Sequence, residues 1–126
     1  MTTTVLSVAV PVADQDAALE FYTEVLGCEL RTDVEAMPGA RYVEVVPPGS
    51  QVGLVLLPPG SPLPMAIRLG TTDAGAAHER LSGTEGVRMH NEEVLRWQGV
   101  PPMFHFTDPD GNDLVYLEDP AAVHAR

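Results

Sequence analysis

Two kinds of apolar spacing open the chain. Valines at positions 8, 10 and 12 alternate with small or polar residues, which predicts a strand over residues 5–12. Asp14 is a good N-cap for a helix that follows this strand. Gly27 stands where the left-handed residue that ends a helix belongs. Between them, one apolar stripe at helical spacing consists of Ala18, Phe21, Tyr22, Val25 and Leu26.

Strands follow this helix. Residues 41–46 and 51–57 are predicted strands, and the Pro-Pro-Gly-Ser segment at residues 47–50 is typical of a hairpin loop. Residues 29–32 are a further candidate strand. The first part of the chain therefore has the order strand, helix and two or three strands.

The second part of the chain repeats this order. It has a short strand at 66–69, a helix at 73–81 capped by Thr72 or Asp73, and strands at 103–107 and 114–117. The loop between the last two strands, at residues 108–112, matches the earlier hairpin loop.

This repeat predicts an α+β fold with two βαβββ modules, residues 1–60 and 61–126, within one structural domain. The modules would form a curved mixed sheet around a concave cavity, with the helices outside. The boundary is the Pro- and Gly-rich turn at residues 58–62. The alternative is an α+β sandwich without internal symmetry.

Charge and cysteine content narrow the functional classes. Eighteen acidic against seven basic residues give a formal net charge of −11, which repels phosphate backbones and makes nucleic acid an unsuitable partner. Cys28 is the only cysteine, so no internal disulfide forms, as expected in a reducing cytosol. No signal peptide is recognisable and no apolar run is long enough to span a membrane, so we expect a cytoplasmic protein without membrane contact.

Three motifs carry a family resemblance. They are Pro-Val-Ala-Asp at 11–14, the Ala-Ala-Leu-Glu-Phe-Tyr and Val-Leu-Gly segments at 17–22 and 25–27, and Asp-Pro-Asp-Gly-Asn at 108–112. Together they resemble the vicinal oxygen chelate superfamily of glyoxalases, bleomycin-resistance proteins and extradiol dioxygenases. The resemblance implies paired βαβββ modules and a homodimer, and it leaves the reaction open because this fold hosts several.

The resemblance also implies a divalent metal held by His or Glu from the first and last strands of the modules. Counting from the motifs, those positions fall on Ser7 and Val115, and the repeat adds Gly53 and Pro64 or its neighbour Met65. These side chains cannot form such a site. The sequence therefore predicts no bound metal and no cofactor.

The histidines do not offer an obvious replacement. His105 is on a predicted strand, His78 on the exposed side of a helix, His90 in a long loop and His124 in the tail. No two of them have the spacing of metal ligands in sequence. His90 and Glu92 are close neighbours, and we expect at most a weak site there.

Strand alternation predicts the residues that line the cavity. A four-residue hairpin loop in each module would pair Glu44 with Gly53 and Phe106 with Val115. The segment from Glu85 to Pro102 would close over the cavity as a lid that carries Trp97. The predicted ligand-binding residues are Ser7, Ala9, Tyr42, Glu44, Gly53, Arg68, Trp97, Phe104, Phe106 and Val115.

Arg68 is the notable charge in this set, because a buried guanidinium needs a partner. That partner is either Glu44 or an anionic ligand. The favoured function is a metal-free protein that sequesters a planar or aromatic small molecule. Two alternatives are a divalent-metal-dependent lyase, isomerase or dioxygenase of the same superfamily, and a module that binds only proteins.

Overall fold

The computed structural model describes residues 3–96 and 100–119. Its backbone contacts divide the chain into two compact units. The N-terminal unit contains residues 6–65, and the C-terminal unit contains residues 66–119 together with residues 3–5. Within the described ranges, no helix is long and apolar enough to cross a bilayer.

The elements of the N-terminal unit are β1 (Thr3–Pro11), α1 (Gln15–Glu20), a π-helical turn (Phe21–Val25), β2 (Glu29–Met37), β3 (Ala40–Val46) and β4 (Gly53–Leu57). Most of β1 belongs to this unit. Its strands lie in the order β2-β3-β4-β1. β1 and β4 pair in parallel, whereas β2–β3 and β3–β4 are antiparallel.

The elements of the C-terminal unit are β5 (Ile67–Thr71), α2 (Ala74–Ser82), β6 (Arg88–Met89), β7 (Met103–Thr107) and β8 (Asp113–Glu118). Its strand order, β5-β8-β7-β6, corresponds to that of the N-terminal unit. β5 and β8 pair in parallel, and the other two pairs are antiparallel. Each unit therefore has βαβββ order, and the predicted α+β class is confirmed.

Both helices begin at an aspartate cap. The Asp14 carboxylate accepts from the Ala17 N–H at 3.0 Å, and Asp73 caps α2 through the Ala76 N–H at 3.0 Å. Of the two cap candidates for the second helix, Asp73 is therefore the one used.

The predicted continuous stripe of the first helix is only partly correct. The α-helix ends at Glu20, and the chain continues as a π-helical turn, in which Leu26 N–H donates to the Phe21 carbonyl. The wider turn changes the phase of the side chains. As a result Tyr22 packs on the core, whereas Phe21 and Val25 are exposed.

Each unit buries its apolar residues between its helical segment and one face of its strands. The N-terminal core is formed by Cys28, Val43, Val45 and Leu56. The C-terminal core is formed by Ala77, Phe104, Phe106 and Tyr116. Because neighbouring residues of a strand point to opposite faces, the residues between these core positions face away from the helix.

The predicted hairpin registers are wrong in both units, with different consequences. Glu44 pairs with Val55 instead of Gly53, a shift of two residues that keeps its predicted face. Phe106 pairs with Leu114 instead of Val115, a shift of one residue that reverses every face on β7. The shift on β7 arises because the loop over residues 108–112 is one residue longer than assumed. The Asp108 N–H closes this loop by donating to the Asn112 carbonyl at 3.0 Å.

Candidate functional site

The face of the N-terminal unit that points away from α1 is largely as predicted. Ser7 on β1 lies opposite Gly53 on β4 in the parallel pair, and Ala9 lies opposite Val55. Ser7 and Gly53 are buried. Glu44 shares this face, because it alternates with the core residues of β3.

A carboxylate is held in place at the centre of this face. The Glu44 side chain is only 7% exposed and accepts a hydrogen bond from the Tyr42 hydroxyl at 2.6 Å. It also forms an ion pair with the Arg31 guanidinium, whose side chain is 41% exposed. A buried carboxylate is costly unless it is paired and hydrogen-bonded, and these two groups supply both interactions.

Arg31 was not among the predicted site residues. It lies at an irregularity of β2, where the pairing with β3 shifts between Leu30 and Thr32. The available signal was Glu44 itself, because an acidic residue inside an apolar strand requires a cation nearby. The neighbouring strand, predicted only as far as Thr32, carries that cation.

Gly53 makes room for the carboxylate. A β-carbon at this position would collide with the Glu44 carboxylate and with the Arg31 guanidinium. The glycine is therefore required by side-chain packing over the strand, since its backbone does not adopt a left-handed conformation.

In the C-terminal unit, Arg68 lies opposite Val115 across the parallel β5–β8 pair. Arg68 is half-buried and Val115 is buried. Since Ser7 faces Gly53 in the same way in the other unit, Arg68 occupies the position corresponding to Ser7. The assignment of that position to Pro64 or Met65 is therefore wrong, because both residues precede β5.

Phe104 and Phe106 do not belong to the polar face. Both rings are buried in the core of the C-terminal unit, where they lie 5.6 Å apart and each 5.7 Å from the ring of Tyr116. Their predicted place on the ligand side is wrong, and the one-residue register shift is the reason. His105 takes that side instead, opposite Val115.

The segment predicted as a lid is in part an edge strand. Residues 88–89 form β6 beside β7, and Leu95 and Met103 exchange backbone hydrogen bonds of 2.8 and 3.1 Å. Trp97 lies outside the described residues, so its predicted role stays a prediction.

Strand pairing brings together two histidines that are distant in sequence. His90 and His105 stack with ring centres 4.1 Å apart and ring planes 9° apart. His105 Nε2 lies 2.8 Å from Asp113 Oδ1. Spacing along the chain did not indicate this pair, because the two histidines meet through strand pairing.

The other described histidine is also placed differently from the prediction. The His78 ring contacts Phe104 edge-on at 4.9 Å, and its Nε2 lies 2.9 Å from the Asn91 carbonyl oxygen. It thus packs on the core side of α2. Its contact with Asn91 fixes the loop that follows His90.

The surroundings of His90 lower its pKa. Partial desolvation of the imidazole has the largest effect, followed by electrostatic interactions with His105 and Arg88, while the negative charge of Asp113 acts in the opposite direction. His90 is therefore neutral at pH 7, with one ring nitrogen available as an acceptor or metal ligand.

The residues at the positions that the resemblance implies for metal ligands can now be compared with the ligands that a metal needs. They are Ser7, Gly53 and Val115, with Arg68 in place of Pro64 or Met65, and are hereafter called the superfamily positions. Glycine and valine offer no side-chain donor, arginine is a cation, and a neutral serine is a poor ligand. These residues do not suit a divalent metal ion.

Comparison with known proteins agrees with the motifs. The sequence profile of the Glyoxalase/Bleomycin resistance protein/Dioxygenase superfamily matches residues 4–116. The chain is 30% identical to the uncharacterized protein YetH of Bacillus subtilis (strain 168) over 117 residues, which cover 89% of this chain and 95% of YetH.

Solved structures include further similar proteins. Methylmalonyl-CoA epimerase from Mycobacterium tuberculosis is 23% identical with a TM-score of 0.75, over 97% of this chain and 91% of the epimerase. TnmS3, an antibiotic binding protein from Streptomyces sp. CB03234, is 31% identical with a TM-score of 0.41, over 91% of this chain and 94% of TnmS3. The matched profile and the repeated βαβββ order show that this chain belongs to the glyoxalase/bleomycin resistance protein/dioxygenase superfamily.

Proposed function

We propose that the protein binds a planar or aromatic small molecule and sequesters it unchanged, without a metal at the superfamily positions. One observation carries this proposal. Ser7 lies opposite Gly53 and Arg68 lies opposite Val115, at the positions where the family resemblance implies metal ligands. Because these side chains are poor metal ligands, they support binding without a Lewis acid at these positions.

The polar face of the N-terminal unit supports binding. It presents an oriented carboxylate, Glu44, and the Tyr42 hydroxyl among small and apolar neighbours such as Ala9 and Val55. Small-molecule sites are generally built from apolar walls and a few fixed polar groups. We expect the ligand to lay an apolar ring on the small residues and to hydrogen-bond with the Tyr42–Glu44 pair.

Arg68 supports an anionic group on the ligand. Arg68 is a half-buried residue that lies opposite buried Val115, on the face of the C-terminal unit that points away from the aromatic core. A partly desolvated guanidinium favours a carboxylate or phenolate partner. A role for Glu44 as a partner of Arg68 in the ligand-free protein stays a prediction.

A second candidate function is catalytic. Glu44 is a buried carboxylate held by a phenol and a guanidinium, an arrangement that also suits a general base. In that case the protein would be a lyase or isomerase that relies on acid–base chemistry, or a metal-dependent member of the same superfamily that binds its ion at other residues.

The deciding experiment is a calorimetric screen of planar aromatic acids, followed by mass spectrometry of each bound compound after prolonged incubation. We expect at least one compound to bind and to be recovered unchanged. Conversion to a product would contradict the binding function and favour the catalytic one. Failure of every compound to bind would contradict the binding function.

Arg68→Met tests the anion site, because it keeps most of the side-chain stem and removes the charge. Affinity for an anionic ligand should fall by about 1.5–3 kcal/mol, the range for hydrogen bonds to charged groups. Arg80→Met, an exposed arginine on α2, is the matched control and should bind as tightly as the unchanged protein. Equal binding by Arg68→Met would remove Arg68 from the site.

The proposal includes a cytoplasmic homodimer. Apolar side chains are exposed on the π-helical turn and along β2, which has no strand partner on its outer side among the described residues. Such edges and apolar patches favour association with a second copy. The exposed apolar residues are Phe21, Val25, Leu26, Leu30, Val34 and Met37.

Light scattering at micromolar concentration tests the homodimer and should give twice the chain mass.

A further inference from the structure

We propose that His90, His105 and Asp113 bind a divalent transition-metal ion at a site distinct from the superfamily positions. The possible ligand atoms of these three side chains all lie within 4.8 Å of one another. The site goes beyond the proposed binding function, and neither depends on the other. The expected absence of a metal stays a prediction for the superfamily positions.

Backbone hydrogen bonds fix the two histidines beside each other. The His90 N–H donates to the His105 carbonyl at 2.9 Å, which continues the β6–β7 pairing by one residue. The His105 N–H donates to Asn91 Oδ1 at 2.8 Å. The cluster is therefore held by a backbone hydrogen bond at His90 and by the side chain of Asn91, the next residue, whereas exposed side chains that meet by chance have no such support.

The separations are close to those that a metal requires. His105 Nε2 and Asp113 Oδ1 are already 2.8 Å apart. Ligands at about 2.0–2.2 Å from one ion are about 3–3.5 Å apart. The two imidazole planes are only 9° apart and a ring-nitrogen lone pair lies in its ring plane, so His90 has to turn out of the stack to bind the same ion as His105. His90 is exposed, so its ring has room to turn.

The donor set selects the class of ion. Two imidazoles and one carboxylate suit Zn²⁺, Ni²⁺, Co²⁺ or Cu²⁺, whereas Ca²⁺ and Mg²⁺ prefer oxygen ligands. Three protein ligands leave at least one coordination position for water or another small ligand. When the ion binds at Nε2 of neutral His105, the ring hydrogen that Asp113 accepts moves to Nδ1.

The surrounding charges act in both directions. The Asp113 carboxylate in the cluster attracts a cation. The nearby Arg88 guanidinium, whose charge acts on His90, repels a dication. The net charge of −11 attracts cations to the protein as a whole.

The test is a titration of the complete, metal-stripped chain with Zn²⁺ by calorimetry and with Co²⁺ by visible absorption. We expect one ion per chain and cobalt ligand-field bands that report nitrogen and oxygen donors. In the unchanged protein, the imidazole ¹⁵N resonances of His90 and His105 should shift when Zn²⁺ is added. This readout does not depend on any variant being folded.

Variants identify the ligands. His90→Ala and Asp113→Asn should each lower the affinity by at least about tenfold, since even outer partners of a metal ligand cost 10–100-fold. Glu92→Gln is the matched control, because Glu92 is the acidic neighbour of His90 in sequence, and its affinity should stay within about twofold.

Three results would overturn the proposal. They are no saturable binding of Zn²⁺ or Co²⁺, unchanged His90 and His105 resonances, or loss of affinity in Glu92→Gln with none in His90→Ala.

Discussion

The two units share one strand order but place their polar groups differently. In the N-terminal unit, Glu44 lies opposite Val55, and in the C-terminal unit the corresponding residue is Met103, opposite Leu117. His105 lies two pairs farther along the same strand, opposite Val115. One unit thus holds a buried, paired carboxylate, whereas the other holds a more exposed pair of imidazoles.

This difference separates the properties that the fold determines from those that single residues determine. Parallel pairing of the first and last strands fixes the positions that face away from the helix in each unit. The residues at those positions then set the chemistry independently in each half. Membership of the superfamily therefore cannot by itself assign an activity, because function depends on the site and not on the fold.

The prediction with the largest expected effect tests which residues of β7 face the core. Phe104→Ala should lower the free energy of unfolding by about 3–5 kcal/mol, because it removes a fully buried ring. His105→Ala, the next residue, faces the other way and should cost no more than about 1.5 kcal/mol. Urea denaturation measures both, and the reverse order of the two effects would restore the register inferred from sequence.

The next effect tests the packing over β4. Gly53→Ala should destabilise the protein by about 1–3 kcal/mol, since its methyl group displaces the Glu44–Arg31 pair. Gly75→Ala in α2 is the control, where a β-carbon makes only ordinary contacts and helix propensity adds up to about 1 kcal/mol of stability. Equal effects at both glycines would show that Glu44 does not lie over Gly53.

A smaller effect compares the polar pairs themselves. A double-mutant cycle with Arg31→Met and Glu44→Gln should give a coupling energy of about 1–2 kcal/mol, limited by the exposure of Arg31. The corresponding cycle for His105 and Asp113 should give less than about 1 kcal/mol, because both partners are only partly buried. A stronger coupling in the second pair would reverse the contrast between the units.

The smallest effect concerns the hairpin that sets the register of β7. The Asn112 side chain donates to Asp108 at 2.9 Å, and this hydrogen bond, with those from backbone N–H groups, holds the Asp108 pKa below its usual 3.8. Such a carboxylate stabilises the fold above its unfolded-state pKa, and this contribution is lost as the pH falls through the folded-state pKa.

Asn112→Ala should therefore raise the Asp108 pKa, as measured by NMR titration of the carboxyl carbon. Asp33 is the internal control in the other unit, because its pKa is lowered chiefly by a hydrogen bond from Arg41. An Asp108 pKa that does not change, or an Asp33 pKa that rises with it, would contradict the local assignment.

Sequence patterns predicted the elements far better than their register. The valines of β1 and the Asp14 and Asp73 caps act locally, so the alternation and cap rules located them. The pairing of β7 with β8 depends on the length of one loop, and a count of four instead of five residues moved Phe104 and Phe106 to the wrong face.

The unpredicted site residues share another cause. Arg31 reaches Glu44 because β2 pairs beside β3 with an irregularity, and His90 reaches His105 because β6 pairs beside β7. Both contacts join residues on neighbouring strands, and spacing along the chain does not report them. Only the buried charge of Glu44 pointed to a partner in advance.

The space above Gly53 also constrains how this protein can change over generations. A glutamate at position 53, where the family resemblance implies a metal ligand, would meet the Glu44 carboxylate and the Arg31 guanidinium already there. A larger residue at position 53 is therefore compatible with the fold only when Glu44 is also changed, while loss of Glu44 alone leaves Arg31 without this partner. The effect of a substitution at either position thus depends on the residue at the other.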